Sequence, residues 1–295
     1  MIKIHRSFVF LHLAVFLFGF TGILGELIQL SAIWLVWWRA LLTCLILIPV
    51  LFWEKSSWPT PKNLFRLMGV GAIVGLHWIC FYGSIKLSNS SVAMICLATI
   101  PFFTSLFESM IYRRSMNKTD ILFSLLILPG IILIAGGLRF DYQIGLWVGI
   151  VAAMLSGLFA TLNKKYVSTA GPLQITFLEL FSVWLMSGFV LIILDFYQPN
   201  SKFIPNTTDS LYLILLSLFC TVVAFALTVA SLRHLSAFTA MLAFNLEPVY
   251  GIILSYFLMN NNKDMSLRFY SGVAIILLVV FTYPFAKNRR RIPAI

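Results

Sequence analysis

Acidic residues are scarce in this chain. Ten Asp and Glu stand against 21 Lys and Arg in 295 residues, and charged residues of both signs make up 11%. With 60% hydrophobic residues and a mean hydropathy of +0.96, a water-soluble fold is excluded, because so much apolar surface could not be hidden from water. Cysteine is sparse too. Cys44, Cys80, Cys96 and Cys220 all fall in apolar runs and form no CxxC pair, which speaks against a disulfide framework and leaves buried structural thiols. Catalytic signatures are missing: no HExxH, no Walker loop, no Gly-x-Ser-x-Gly and no Cys/His cluster with metal spacing. The chain therefore reads as a non-enzyme with no metal and no cofactor. Long polar stretches are missing as well. The longest connection, 195–209, holds Pro199, Asn200, Pro205 and Asn206 and leaves no room for a soluble domain.

What is present is a series of continuous apolar runs. A span needs about 20 apolar residues, and a membrane β-barrel would instead alternate in short segments. Ten runs fit: 8–25, 32–53, 65–87, 90–112, 119–138, 143–163, 172–194, 210–232, 236–259 and 267–286. The first has a basic flank like a signal peptide but no small-x-small cleavage site, and reads as an uncleaved helix. The net charge of +11 lies in the short loops between runs, which marks membrane orientation and not nucleic-acid binding. With the N-terminus in the cytoplasm, 15 of the 21 Lys and Arg fall on the cytoplasmic side. Both termini are expected there, in a cell inner membrane.

The chain also repeats itself. Ala230–Met259 aligns without a gap on Gly83–Tyr112 at a shift of 147 residues. Ser231 falls on Ser84, Arg233 on Lys86, Ala240-Met241 on Ala93-Met94, and Pro248 on Pro101. Two halves with an odd number of spans each must face opposite ways. The expected fold is thus all-α and membrane-integral, with ten transmembrane helices as two inverted five-helix repeats, residues 1–142 and 143–295. Two stripes of small residues mark helices that approach closely: Gly71, Gly75 and Gly83 in the third span, and Gly145, Gly149, Ala153 and Gly157 in the sixth.

The ten spans, the paired halves, the Glu247-Pro248-Val-Tyr string after Leu232-Arg233-His-Leu-Ser, and the matching Ser84-Ile-Lys86-Leu-Ser with Pro101-Phe-Phe-Thr resemble the drug/metabolite transporter superfamily, in its EamA-type members. The resemblance covers essentially the whole chain. It implies a multi-pass carrier for small metabolites, often an exporter of amino acids or related compounds, with a central cavity between the halves. The chain departs from that pattern after the fourth and ninth spans, where Tyr112-Arg113-Arg114 and Asn260-Asn261 stand in place of Gly-Glu.

A charge in hydrocarbon costs roughly 2.5–3.5 kcal/mol on insertion scales, so each one asks for a partner or a role. Arg39 could grip a substrate carboxylate as a bidentate fork, or snorkel to the interface beside Trp34, Trp37 and Trp38. Glu247 could hold a cationic group or a proton, or tie a kink to a neighbouring helix. Pro101 and Pro248 are expected to kink their helices at matching places, which points to the binding region. Glu179 is a protonatable site or a partner for Arg39, with Asn245 a further polar candidate. Trp78 and Tyr82 share a helix face and would line the cavity. His77 is a proton relay or a packing residue. Glu108 is expected to pair with Arg113 or Arg114, Asn163 to cap its helix, and Glu26, Lys86 and Asp195 to sit near the interface. The expected partners are a small-molecule substrate, the lipid bilayer and protons as coupling ion, with monomer and homodimer both open. The function read from all this is a secondary transporter working by alternating access, the alternative being a lipid-linked-group flippase or membrane enzyme.

Overall fold

The computed structural model describes residues 2–53, 58–113, 115, 118–137, 140–197, 203–244, 246–259 and 266–289. Among them the regular structure is helical throughout. The helices are α1 (Ile2–Leu27), α2 (Ala32–Trp53), α3 (Pro61–Leu87), α4 (Ser90–Leu97), α5 (Ile100–Ile111), α6 (Lys118–Gly137), α7 (Gln143–Tyr166), α8 (Pro172–Tyr197), α9 (Thr207–Ser217), α10 (Ala224–Leu232), α11 (Ala237–Ala243), α12 (Leu246–Met259) and α13 (Leu267–Arg289). Their starts follow from local chemistry. Asn89 and Asn206 cap α4 and α9 by accepting from the Val92 and Asp209 amides at 2.9 and 2.7 Å, and Pro61 opens α3.

Seven helical stretches among the described residues are long and apolar enough to cross a membrane: 6–27, 32–52, 61–87, 90–111, 143–166, 172–193 and 207–232. Three of these need comment. The stretch 90–111 is broken between α4 and α5 at Ala98-Thr99, where a single bend at Pro101 was expected. The run 236–259 is likewise divided, between α11 and α12. The stretch 207–232 stays helical but passes through a π-turn, Leu218–Val223, between α9 and α10.

The molecule is inside-out by the standards of a soluble protein. Phe52, Phe65 and Ile192 stand 85%, 73% and 72% exposed, while Arg39 and Glu179 are 1% and 0% exposed. Lipid is the solvent for such a surface, and every polar group must be satisfied within it. Serine and threonine do this locally: Thr43, Thr104, Thr161 and Thr228 each donate back to the carbonyl four residues earlier. This is a multi-pass membrane protein.

Helix α3 lies at the centre, packed on α7 and α8, and α6 pairs with α13. The stripes of small residues explain the close approaches. A Cβ on Gly71 would lie 2.3 Å from the Glu179 carbonyl oxygen of α8. On α7, a Cβ at Gly149 would meet Cys96 Sγ at 2.7 Å, and one at Gly157 would meet the Thr104 amide at 2.7 Å. Gly83 belongs to neither contact: a Cβ there would make ordinary contact with Val148 at 3.7 Å.

Two matched hydrogen bonds join the halves. Ser84 of α3 donates to the Gly145 carbonyl at 2.7 Å, near the start of α7. Ser231, its counterpart in α10, donates to the Ser7 carbonyl at 3.0 Å, near the start of α1. The two bonds lie at opposite ends of α1. Around the first, Lys86 donates to the Ile28 carbonyl, Asp209 accepts from the Gln29 amide at 2.9 Å, and Glu26 accepts from the Ser90 amide at 2.8 Å. Around the second, Arg233 donates to the Ala170 carbonyl at 2.5 Å and Lys164 to the Leu232 carbonyl at 2.7 Å.

Candidate functional site

Arg39 does not reach the interface. It sits on α2 about 10 Å from the helix start, at 1.5 Å per residue, and it turns inward. Its Nε donates to Thr221 Oγ1 at 2.7 Å, one terminal nitrogen donates to the Tyr82 hydroxyl at 2.6 Å, and the other donates to the Cys220 carbonyl at 3.0 Å. The indole of Trp78 lies beneath it, 3.8 Å from the guanidinium carbon to the ring centre. Two of these partners, the Cys220 carbonyl and Thr221, lie in the π-turn, and Thr221 Oγ1 donates onward to the Leu216 carbonyl at 2.9 Å. A guanidinium carries five N–H donors. Three go to protein oxygens, which leaves two for a ligand.

Arg39 lines a cavity of about 60 Å³, together with Trp78, His77 and Glu247. The cavity is built in pairs. Trp78 and Phe225, Phe81 and Thr228, Leu97 and Phe244, and Ile100 and Glu247 all line it, and each pair is separated by the 147-residue repeat interval. The two helix breaks supply the last two pairs. Glu247 stands in the first turn of α12, its amide donating to the Phe244 carbonyl at 2.9 Å, and its 6%-exposed carboxylate lies within electrostatic reach of Arg39. Pro101 stands in the first turn of α5 and the backbone of Pro248 in the first turn of α12, so each proline starts a helix after a break. Asn245 lies outside the described residues.

Tyr82 does not line the cavity. It stands behind Arg39, fully buried, its ring filling the space that Gly25 of α1 leaves open. His77 does line it, held by Nδ1–H donating to the Ala152 carbonyl at 2.8 Å and stacked on Phe81. The carbonyl only accepts, so Nδ1 carries the proton and Nε2 is turned from that bond.

Glu179 is not brought to Arg39. It is fully buried on α8, and its Oε2 accepts from Asn163 Nδ2 at 3.1 Å. Asn163 is therefore no cap: α7 continues to Tyr166, and the Asn163 side chain is 2% exposed. The neighbouring Lys164-Lys165 made a helix end look closer than it is. Glu108 is buried within electrostatic reach of Lys164, Arg114 and the side chain of Asp195 being outside the described residues. Glu26 and Lys86 sit at helix ends, as expected. The cysteines are free thiols, Cys220 within the π-turn. Sequence reasoning missed Thr221 and the Cys220 carbonyl, for which a π-turn leaves no residue signature. It also missed Phe18, Phe159 and Phe225 on the cavity wall. The repeat interval would have found Phe225, as the position equivalent to Trp78.

Comparison with known proteins agrees with this picture. The sequence pattern of the EamA-like transporter family matches residues 6–136 and again 143–283. YdfC of Bacillus subtilis (strain 168), described as an uncharacterized transporter, is 24% identical over 202 residues, covering 67% of this chain. The match spans 64% of that relative's own length. A solved crystal structure superposes with a TM-score of 0.66 at 12% identity, over 96% of this chain and 98% of the other. At that identity the likeness concerns the fold alone.

Proposed function

Because the chain belongs to the EamA-like transporter family, we propose that it is a secondary carrier exporting a small amphipathic solute of the amino-acid kind by alternating access. The observation that carries this reading is one enclosed aromatic cavity lined by both Arg39 and Glu247. A carboxylate would take the two free guanidinium donors as a charge-assisted pair. An ammonium would sit toward Glu247, and the apolar remainder of the solute would rest on Phe81, Phe159 and Phe225. Ten spans in two inverted halves accord with the matched bonds: equivalent residues Ser84 and Ser231 work at opposite ends of the bundle. About 60 Å³ holds a few waters but no amino acid, so binding the solute requires the helices around the cavity to part. The distribution of Lys and Arg supports an inner-membrane orientation with both termini on the cytoplasmic side.

The test is counterflow into liposomes containing the purified full-length protein, with L-phenylalanine, 3-phenylpropionate and phenethylamine as probes. Arg39→Ala is expected to stop uptake of the two carboxylates, and Glu247→Gln to weaken L-phenylalanine much more than 3-phenylpropionate. Flux of all three probes that survives Arg39→Ala would overturn the assignment of the site.

A further inference from the structure

The Glu179–Asn163 pair lies outside the cavity lining and is incomplete in a specific way. Both side chains are buried, at 0% and 2% exposure, and one bond of 3.1 Å joins Asn163 Nδ2 to Glu179 Oε2. The other oxygen of each, Glu179 Oε1 and Asn163 Oδ1, is buried without a hydrogen-bond partner. A carboxylate and an amide oxygen are both acceptors, so neither can satisfy the other. One added proton changes that. A carboxylic acid donates from Oε1 to the amide oxygen while the amide donates to Oε2, and the pair closes a ring of two reciprocal hydrogen bonds.

Among the described residues no cation offers the alternative. Helix α8 packs on α2, α3 and α10, and Asn163 comes from α7. On those elements Lys62 of α3 is exposed, and the other charged groups are engaged elsewhere. Arg39 of α2 is bound to Thr221, Tyr82 and Cys220, and the Tyr82 hydroxyl of α3 accepts from it. Cys44 of α2 and Cys80 of α3 are free thiols. On α3, Arg66 donates to Asn63 at the exposed end, His77 to the Ala152 carbonyl and Lys86 to the Ile28 carbonyl. On α7, Lys164 donates to the Leu232 carbonyl, and Lys165 lies over the Tyr166 ring. α10 carries no charge, and Arg233 beyond it holds the Ala170 carbonyl. The helix backbone at Gly71 closes over the Glu179 backbone with no room for a Cβ, so the site is sealed on that side.

We propose that Glu179 and Asn163 form a proton-binding site, occupied in this conformation, that couples the carrier to a proton gradient. It rests on the carrier reading above, and it separates the duties of the two buried charges. Arg39 holds solute; Glu179 takes a proton from one side and releases it when the helices around it part and water reaches it. The bond balance is simple: the Oε1–H bond forms on uptake from water and breaks on release to water.

Glu179→Gln is the decisive variant, because a glutamine amide makes the same two reciprocal bonds with Asn163 while carrying no exchangeable acid proton. Two readouts apply to full-length protein in liposomes. The first is infrared absorption of protonated carboxyl groups at neutral pH, which needs no solute. Wild type is expected to show a band that Glu179→Gln lacks and that Glu247→Gln retains. The second uses L-phenylalanine as the probe. Counterflow at equal pH is expected to stay within about threefold of wild type in Glu179→Gln, the size of a repacking effect under 1 kcal/mol, while accumulation driven by a pH difference is lost. Identical infrared spectra for wild type and Glu179→Gln overturn the proposal. So does pH-driven accumulation that Glu179→Gln leaves unchanged. Absence of counterflow in wild type would instead count against the solute class proposed for the carrier, and the infrared comparison still decides the proton site.

Discussion

Arg39 and Glu179 occupy the same place in their helices: each stands seven residues after the first residue of α2 or α8. Both are buried, yet their surroundings differ. Arg39 has three hydrogen bonds and an indole face, while Glu179 has one hydrogen bond and a bare oxygen. A buried charge survives in lipid only if its donors or acceptors are met. Arg39 meets that condition as an ion and keeps two donors in reserve for the cavity. Glu179 meets it only as a neutral acid. Two residues at the same depth in their helices have thus been given unequal chemistry, one for holding a charge and the other for exchanging a proton.

The largest effect expected from breaking this contrast is at Arg39. Arg39→Ala removes two charge-assisted hydrogen bonds to a carboxylate solute, each worth about 1.5–3 kcal/mol. L-Phenylalanine counterflow should fall about 100-fold or more, with Arg39→Lys intermediate because an ammonium cannot replace the fork. Glu179→Leu comes next. It strands the Asn163 amide in an apolar setting at a cost of about 1–3 kcal/mol, so the thermal midpoint in detergent should drop, while Glu179→Gln should leave it close to wild type. Gly71→Ala should destabilise by about 1–3 kcal/mol, since its methyl meets backbone that cannot give way. Gly83→Ala, on the same helix with open contact, should change stability by less than about 1 kcal/mol. The smallest effect is at Trp78. Trp78→Phe weakens the ring beneath Arg39 and should reduce solute affinity only a few-fold, the yield of about 0.5–1 kcal/mol of cation–π attraction.

How much of this could be read from residues alone depended on whether a residue is costly where it sits. Arg39, Glu179 and Glu247 were legible because charge in a long apolar run demands an explanation. The prolines were legible because they recur at the repeat interval, although their effect is a helix break and not a bend. The aromatic wall was not legible: with 27 phenylalanines in the chain, nothing sets Phe18 or Phe159 apart until helices are packed. The second partners of the buried charges were hidden for the same reason. Asn163 looks like a helix terminus beside its two lysines, and the Cys220 carbonyl is a backbone group that every residue carries.

Alternating access itself is tested most directly at the two matched bonds. In a background with the four native cysteines replaced by serine, Ser88→Cys with Gly145→Cys, whose β-carbons face each other one turn from Ser84, would lock one end of the bundle, and Ser231→Cys with Ser7→Cys the other. The account predicts that either disulfide alone stops L-phenylalanine counterflow and that reduction restores it. Counterflow that continues at the wild-type rate with each end locked in turn would contradict a carrier that opens its central cavity to one side at a time.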